Sequence, residues 1–133
     1  MLVQREVANR LVAQPGTRDY GYLTVFTLLY SSPRLLLQVP PGAFSPPPRV
    51  RSALVQFEMR ASDRGVSLEN EEDFLKFLKQ SFAYKRKKLV NCLSPLYPRQ
   101  RIEEQLARLA LPPGVRAEQL SLEQFIALFS HLR

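Results

Sequence analysis

Residues 34–59 read RLLLQVPPGAFSPPPRVRSALVQFEM, two apolar segments separated by a stretch that contains five prolines. Because proline fixes φ and lacks a backbone donor, that stretch can be neither helix interior nor central strand. Residues 34–39 and 53–59 read as strands, and the second alternates its side chains with a period of two. We predict a strand–loop–strand hairpin whose long loop holds a single aromatic residue, Phe44.

The segments before the hairpin are short and apolar. Residues 1–13 combine the end of a strand with an amphipathic helix, and residues 19–30 form a second helix candidate that stops at Ser31-Ser32-Pro33. A two-stranded hairpin alone is marginally stable in water. Residues 1–60 are therefore predicted to be the end of something larger.

The chain after the hairpin reads as helical. Residues 61–65 form a polar break, which we take as the boundary between two units. One long helix is predicted over residues 71–93, with Asn70 as its N-cap, and a second over residues 98–111. Ser121, with a glutamine three positions later, predicts the N-terminus of the last helix.

Composition excludes several kinds of site. The chain has 133 residues, one cysteine and one histidine, so it offers neither an internal disulfide nor a cysteine or histidine cluster for a metal. Its five glycines are too scattered for a phosphate-binding loop, and no Ser-His-Asp set exists. No apolar run has membrane-spanning length. A net charge of +7 points to a polyanionic partner, nucleic acid first and an anionic membrane second.

Four adjacent cations, Lys85-Arg86-Lys87-Lys88, stand out within the predicted long helix. They repel one another unless a polyanion is near, which favours contact with RNA or DNA over a merely solvated face. On the same helix Phe77 and Tyr84 could stack on bases, but packing against a neighbouring helix is the favoured interpretation for both.

The proline-rich loop allows several interpretations. Phe44 could plug the hairpin into the core, or its ring could be presented to a ligand by stiff flanks that lose little entropy on binding. Residues 46–49 could be a polyproline ligand, although such ligands usually lie in disordered tails. Arg34, Arg49 and Arg51 bracket the loop and either keep it hydrated or hold a phosphate backbone beside Phe44. Composition leaves these alternatives open.

Four stretches together resemble a known family. They are MLVQREVANRL at residues 1–11, VPPGAFSPPPRVRSALVQF at 39–57, FAYKRKKLVNCL at 82–93 and RAEQLSLEQF at 116–125. The second fits an F-x-P-x-P-x-V-x-S pattern that begins at Phe44. The chain resembles the C-terminal half of a KsgA-type ribosomal RNA adenine dimethyltransferase, and the resemblance covers essentially all of it.

The resemblance implies an activity for a longer protein. A methyl group would pass from S-adenosylmethionine to N6 of adenine, twice on each of two adjacent adenosines of small-subunit rRNA. Phe44 would stack on the target adenine, and Pro46 and Pro48 would limit its movement. The RNA-binding residues would be the cations of the loop and of the basic tetrad: Arg34, Arg49, Arg51, Lys85, Arg86, Lys87 and Lys88.

The resemblance also implies what this chain lacks. The family's glycine-rich donor loop, its acidic ribose ligand and its N-L-P-Y tetrapeptide would all lie upstream of Met1. We therefore expect no catalytic residue here, no bound S-adenosylmethionine and no metal. Lys85 replaces the family's arginine, and Arg51 stands where the family often has Asp or Asn. The implied partner is small-subunit rRNA or the pre-30S particle in the cytoplasm, without a membrane.

The implied fold is an α/β fragment followed by an all-α unit. Residues 1–60 would be the C-terminal end of a Rossmann-like methyltransferase domain, with helices and an antiparallel hairpin, and residues 61–133 a small helical rRNA-binding domain. One alternative is an Erm-type adenine methyltransferase of large-subunit rRNA, which shares the F-x-P-x-P motif. Another is a non-catalytic nucleic-acid-binding relative.

Overall fold

A computed structural model describes residues 1–39, 51–59, 68–84 and 86–133 of the chain. Six helices, three strands and a short 3₁₀ helix occur in these ranges. In chain order the elements are β1 (Leu2–Gln4), α1 (Arg5–Leu11), α2 (Tyr22–Tyr30), β2 (Ser31–Val39), β3 (Ser52–Met59), α3 (Leu68–Ser81), α4 (Leu89–Leu93), α5 (Arg99–Arg108), the 3₁₀ helix (Ala117–Gln119) and α6 (Leu122–Leu132).

The two predicted strands pair, but not as an isolated hairpin. The sheet has the order β1-β3-β2 with both pairings antiparallel, so β3 is the central strand. β1 lies along β3 with Leu2 opposite Leu54, and the backbone N–H of Arg5 donates to the carbonyl of Arg51 at 2.8 Å. The third strand supplies the pairing that a hairpin lacks.

β2 begins earlier than the sequence predicted. Ser31-Ser32-Pro33 ends α2 at Tyr30 as expected, but these three residues form the first part of β2 instead of a break. Pro33 can occupy this strand because β2 lies at the edge of the sheet, where a missing backbone donor leaves no ladder bond unmade. The register between β2 and β3 shifts between Leu35 and Leu37.

A small core lies between α1 and one face of the sheet. Ala8 of α1 and Ala53 and Val55 of β3 are fully buried, with Val3, Leu35 and Phe57 packed around them. Alternate residues of β3 therefore face α1, which confirms the period-two pattern of that strand.

The larger core gathers apolar side chains from α2 through α6. Val25 and Leu29 of α2 belong to the same buried cluster as Phe74 of α3 and Phe125 of α6. α2 thus packs against helices that follow the predicted boundary at residues 61–65, a segment outside the described residues. The division into units 1–60 and 61–133 stays a prediction; side chains from both ranges belong to this core.

The long helix predicted over residues 71–93 is wrong. α3 ends at Ser81, α4 begins only at Leu89, and Asn70 lies inside α3 instead of capping it. α4 buries four of its five residues, Leu89, Val90, Cys92 and Leu93. A continuous surface helix with one apolar stripe would leave part of that set in water. The chain therefore turns between the two helices.

The remaining helices agree with the signals for where they begin. α5 begins after Pro98 and buries Ile102 and Leu106, but it ends at Arg108 and not at residue 111 as predicted, with Ala110 at a positive φ of 57°. Ser121 caps α6: its hydroxyl accepts from the N–H of Gln124 at 3.2 Å, and the Gln124 side chain accepts from the N–H of Ser121 at 2.9 Å. This reciprocal pair is the predicted capping box.

Two aromatic residues that a continuous helix would place on one face have opposite environments. Phe77 is 1% exposed and Tyr84 is 55% exposed. Replacing Phe77 by Ala is expected to lower the free energy of unfolding by about 3–5 kcal/mol. The matched change Tyr84→Ala, at the surface, should cost about 0.5 kcal/mol or less. Urea unfolding measures both, and equal losses would contradict the turn between α3 and α4.

The hydroxyl of Tyr30, at the end of α2, donates to the carboxylate of Glu71 in α3. Burial, and then this hydrogen bond, raise the pKa of Tyr30 to about 12 from an ordinary value of 10.0. The unfolded chain therefore ionises first. The stability that this group contributes is complete below pH 10 and is lost as the pH rises from 10 towards 12.

Between pH 10 and pH 12, we expect the free energy of unfolding to fall less for the Tyr30→Phe variant than for the wild type. The free energy of unfolding, measured in urea at intervals between pH 10 and pH 12, gives the two slopes. Glu71→Gln removes the acceptor's charge but keeps the side-chain shape, and should give an intermediate slope. A Tyr30→Phe curve parallel to the wild type would contradict the raised pKa.

Candidate nucleic-acid interface

The segment between α3 and α4, residues 82–88, carries the basic tetrad and is called the basic turn below. Two backbone hydrogen bonds between residues three positions apart are typical of turns. The N–H of Ala83 donates to the carbonyl of Gln80, and the N–H of Lys87 donates to the carbonyl of Tyr84 at 3.1 Å. Lys85 lies outside the described residues. Arg86, Lys87 and Lys88 are thus held in a turn and not on the helix that the sequence predicted.

One contact fixes the basic turn itself to the helical core, and two more hold the helices on either side of it. The Cys92 thiol of α4 donates to the carbonyl of Tyr84 at 3.7 Å. The side-chain amide of Gln80 donates to the carbonyl of Cys92 at 2.9 Å, which joins the end of α3 to α4. Where the turn meets α4, the N–H of Leu89 donates to the carbonyl of Val115 at 2.8 Å. The turn is therefore anchored at its middle, and α4, which follows it, is anchored at its start.

The basic turn presents an aromatic ring and cations to solvent. Tyr84 is more than half exposed, and Arg86, Lys87 and Lys88 are exposed. The Lys87 ammonium lies 4.6 Å from the centre of the Tyr84 ring, a cation–π contact. None of these three cations pairs with a carboxylate among the residues that the structure describes. Their charges are available to an external anion.

Other cations of the helical part are engaged within the protein. Lys76 and Arg99 each lie within 4 Å of a glutamate four positions away in the sequence, at 3.9 and 3.2 Å. Arg99 also donates to the side-chain oxygen of Asn91 at 2.8 Å. Arg101 donates to the carbonyls of His131 and Arg133. The basic turn therefore differs from these positions in having free cations.

The structure separates the cations predicted at the proline-rich loop. Arg34 is exposed in β2 opposite Gln56, and Arg51 is exposed just before β3 begins. Five strand positions separate Gln56 from Arg51, which is about 17 Å along the sheet. The two side chains would therefore contact different phosphates. Phe44, Pro46, Pro48 and Arg49 lie outside the described residues, so their predicted roles stay predictions.

A pocket of about 690 Å³ opens beside the basic turn. It is formed where α1, the α1–α2 connection and the start of α2 meet the end of α3 and the 3₁₀ helix. Its lining contains aromatic rings (Tyr20, Tyr22, Phe82, Tyr84), carboxylates (Glu6, Asp19, Glu118) and two arginines (Arg10, Arg18). No sequence pattern indicated this pocket, because its residues come from well-separated stretches of the chain. Tyr84 belongs to both the pocket and the basic turn.

Metal and membrane features can be assessed for the described ranges alone. Within them, no three His, Cys, Asp or Glu side chains lie together in a group that could hold a metal ion. No helix in those same ranges combines the length and apolar character needed to cross a bilayer.

Comparison with known proteins gives consistent matches. The sequence model of the ribosomal RNA adenine dimethylase family matches residues 1–133. The ribosomal RNA small subunit methyltransferase A of Acidobacterium capsulatum is 44% identical over 135 positions, covering 99% of this chain and 47% of that protein. The protein of the same name from Koribacter versatilis is 39% identical over 133 residues, covering 100% of this chain and 46% of its own length. The chain thus spans about half the length of these curated relatives.

Two solved structures resemble the chain. A dimethyladenosine transferase from Plasmodium falciparum superposes with a TM-score of 0.76 at 23% identity, over 96% of this chain and 54% of its own, which establishes likeness of fold alone. The 23S rRNA methyltransferase ErmE gives a TM-score of 0.71 at 27% identity, over 99% of this chain and 53% of its own.

Proposed function

Because the chain belongs to the ribosomal RNA adenine dimethylase family, we propose that it is the C-terminal portion of an S-adenosylmethionine-dependent rRNA adenine N6,N6-dimethyltransferase. The longer protein would act on two adjacent adenosines of small-subunit rRNA during ribosome biogenesis in the cytoplasm, with the pre-30S particle as partner. Support for the small subunit comes from relatives of that name, which are similar over almost the whole chain.

The sheet supports the proposal that the chain is part of a larger domain. Leu2 and Leu37 are 48% and 50% exposed, and both lie opposite Leu54 of β3 on the same face of the sheet. Apolar side chains gathered in this way mark surfaces that other protein segments cover. In the longer protein, the sheet would be completed by the methyltransferase domain of which residues 1–60 form the end.

The single observation that carries the RNA-binding role is the basic turn. Its exposed cations have no carboxylate partner among the described residues, and its backbone is fixed by Cys92 and, at the adjoining Leu89, by Val115. Cations that are already positioned lose little conformational freedom when phosphates bind. Release of counterions from the phosphates then supplies the affinity.

The target adenine would be stacked by Phe44, on the strength of the family resemblance. A base must leave its stack before N6 can be methylated, and an aromatic ring stabilises the extruded base by roughly 1–3 kcal/mol. Pro46 and Pro48 would restrict the loop that carries the ring. Arg49 and Arg51 would contact phosphates next to the adenine, and Arg34 would contact a different phosphate about 17 Å along the sheet.

The methyl donor does not fit the described residues. The described glycines lie in separate connections, and two of their N–H groups are already used: that of Gly16 donates to the carbonyl of Glu118, and that of Gly21 donates to the Thr24 hydroxyl. A glycine-rich loop would instead offer free N–H groups to the donor. We therefore propose that the donor site lies in the rest of the longer protein. Calorimetric binding of S-adenosylmethionine to the 133-residue chain would contradict this assignment.

An Erm-type methyltransferase of large-subunit rRNA is the second candidate, favoured by the likeness to ErmE. Arg116-Ala117-Glu118, at the start of the fourth stretch that resembles the small-subunit type, lies at the 3₁₀ helix. Methylation of purified small and large subunits by the longer protein separates the two candidates.

Removing the cations of the basic turn should weaken RNA binding and flatten its dependence on salt. For Arg86→Ala, Lys87→Ala and Lys88→Ala combined, the slope of log K against log salt should fall by about 0.7–0.9 for each phosphate that is no longer neutralised. Fluorescence anisotropy with a small-subunit rRNA hairpin at several salt concentrations measures the slope. A control triple variant, Lys76→Ala, Lys79→Ala and Arg108→Ala, removes the same charge elsewhere. Equal slopes for the two variants would mean that the basic turn is a merely hydrated surface.

In the longer protein, Phe44→Ala should reduce methylation far more than it reduces stability, because its ring would contact the adenine and not the core. Initial rates on small subunits and urea unfolding of the same preparations give the two effects. Phe44→Tyr keeps the stacking surface and should retain most of the rate. A loss of about 3–5 kcal/mol in the free energy of unfolding would identify Phe44 as a core residue.

A further inference from the structure

The pocket beside the basic turn has a charge opposite to that of the chain. The whole sequence carries +7, yet three carboxylates and only two arginines line the pocket. Arg10 is paired with Glu6 at 2.9 Å. Asp19 and Glu118 have no ion pair among the residues that the structure describes. A phosphate would be repelled from this pocket, whereas a group that donates hydrogen bonds would be attracted.

The pocket also offers flat aromatic surface and a volume that suits a small ligand. Tyr22 and Phe82 are partly exposed, and Tyr84 is largely exposed at the side shared with the basic turn. A volume of about 690 Å³ lies within the range of small-ligand pockets. Aromatic rings beside hydrogen-bond acceptors are the usual surroundings of an unstacked RNA base.

The walls of the pocket are held together without a ligand. The Tyr20 hydroxyl donates to the carbonyl of Leu120 at 2.5 Å, and the N–H of Gly16 donates to the carbonyl of Glu118 at 2.7 Å. On the other side, the Thr24 hydroxyl donates to the carbonyl of Arg10. These bonds connect the α1–α2 connection to the 3₁₀ helix and α2 to α1. The pocket is therefore formed before anything binds.

We propose that this pocket receives one unstacked base of the bound RNA, other than the target adenine, and that this base carries an exocyclic amino group. The inference rests on the proposed RNA-binding function. Asp19 and Glu118 would accept hydrogen bonds from adenine, guanine or cytosine, whereas uracil has no amino group to donate. The basic turn would hold the adjoining phosphates while the aromatic rings, Tyr84 among them, stack on the base.

A set of RNA hairpins tests the proposal with the 133-residue chain. The hairpins differ in one unpaired nucleotide, A, G, C or U, and fluorescence anisotropy gives each affinity. The wild type should bind the A, G and C hairpins about fivefold more tightly than the U hairpin, the lower end of what a specific base contact supplies. Equal affinities for all four would overturn the proposal.

The variant Asp19→Asn with Glu118→Gln identifies the pocket as the source of the preference. Amide side chains keep the shape and both donate and accept, so the preference over U should fall below twofold. Removing two negative charges should raise the affinity for all four hairpins by the same factor, and that factor cancels in the ratio of one affinity to another. A preference that stays at its wild-type value would overturn the proposal. Asp19→Asn alone, at an exposed position, serves if the thermal unfolding curve shows that the double variant does not fold.

The same data distinguish a failure of this inference from a failure of the proposed function. If the triple variant of the basic turn flattens the salt slope but the four hairpins bind equally, RNA binding stands and the base pocket is wrong. If the triple variant leaves the slope unchanged, the RNA-binding role of the basic turn is wrong and the pocket inference fails with it.

Discussion

The burial of Tyr20 is the constraint on which the arrangement of this chain depends. Its side chain is 1% exposed, its ring meets Phe82 edge-on with centroids 6.4 Å apart, and its hydroxyl bonds to the carbonyl of Leu120, 100 positions away. A buried hydroxyl without a partner would cost about 1–3 kcal/mol, so the bond fixes where the α1–α2 connection can lie. Burial, and then the charge of Glu123, raise the pKa of Tyr20, which keeps the hydroxyl a donor.

The basic turn shows how this fold tolerates concentrated positive charge. The charged side chains project into water, whose high dielectric constant weakens the repulsion between them. Backbone groups of the turn and of the adjoining helix hold the structure: the carbonyl of Tyr84 accepts from Cys92, and the N–H of Leu89, the first residue of α4, donates to Val115. None of these bonds involves a charged side chain. The charges can therefore serve binding without being committed to folding.

Local patterns predicted the elements well and their joins poorly. The alternation of β3 and the Ser121–Gln124 capping box depend on neighbours in sequence, and both are confirmed. The turn between α3 and α4 was missed because Phe82 and Leu89, seven positions apart, fit one continuous helical stripe as well as two separate helices. Only the burial of further side chains in α4 distinguishes the two, and burial is a tertiary property.

At the predicted site, too, features that depend on neighbouring residues were easier to predict than features that join remote ones. The sequence identified the cations of the basic turn, which form a continuous run, but it placed Tyr84 in a packed environment where the structure exposes it. The pairing of β1 with β3 and the pocket could not be predicted, because each joins stretches that are remote in sequence. A tetrad of cations can be read from a sequence, but the surface beside it cannot.

The basic turn is positively charged and the pocket beside it is negatively charged, so the surface that they form has two ends of opposite charge. On a ligand that spans both, the cations attract phosphates and the carboxylates attract hydrogen-bond donors. An RNA strand meets the lowest electrostatic cost when its phosphates face Arg86, Lys87 and Lys88 and its bases turn towards Asp19 and Glu118. Tyr84 lies at the junction of the two features, where the proposed RNA strand would pass from charge contact to stacking. The same ring can therefore fix the register of the strand without reading its sequence.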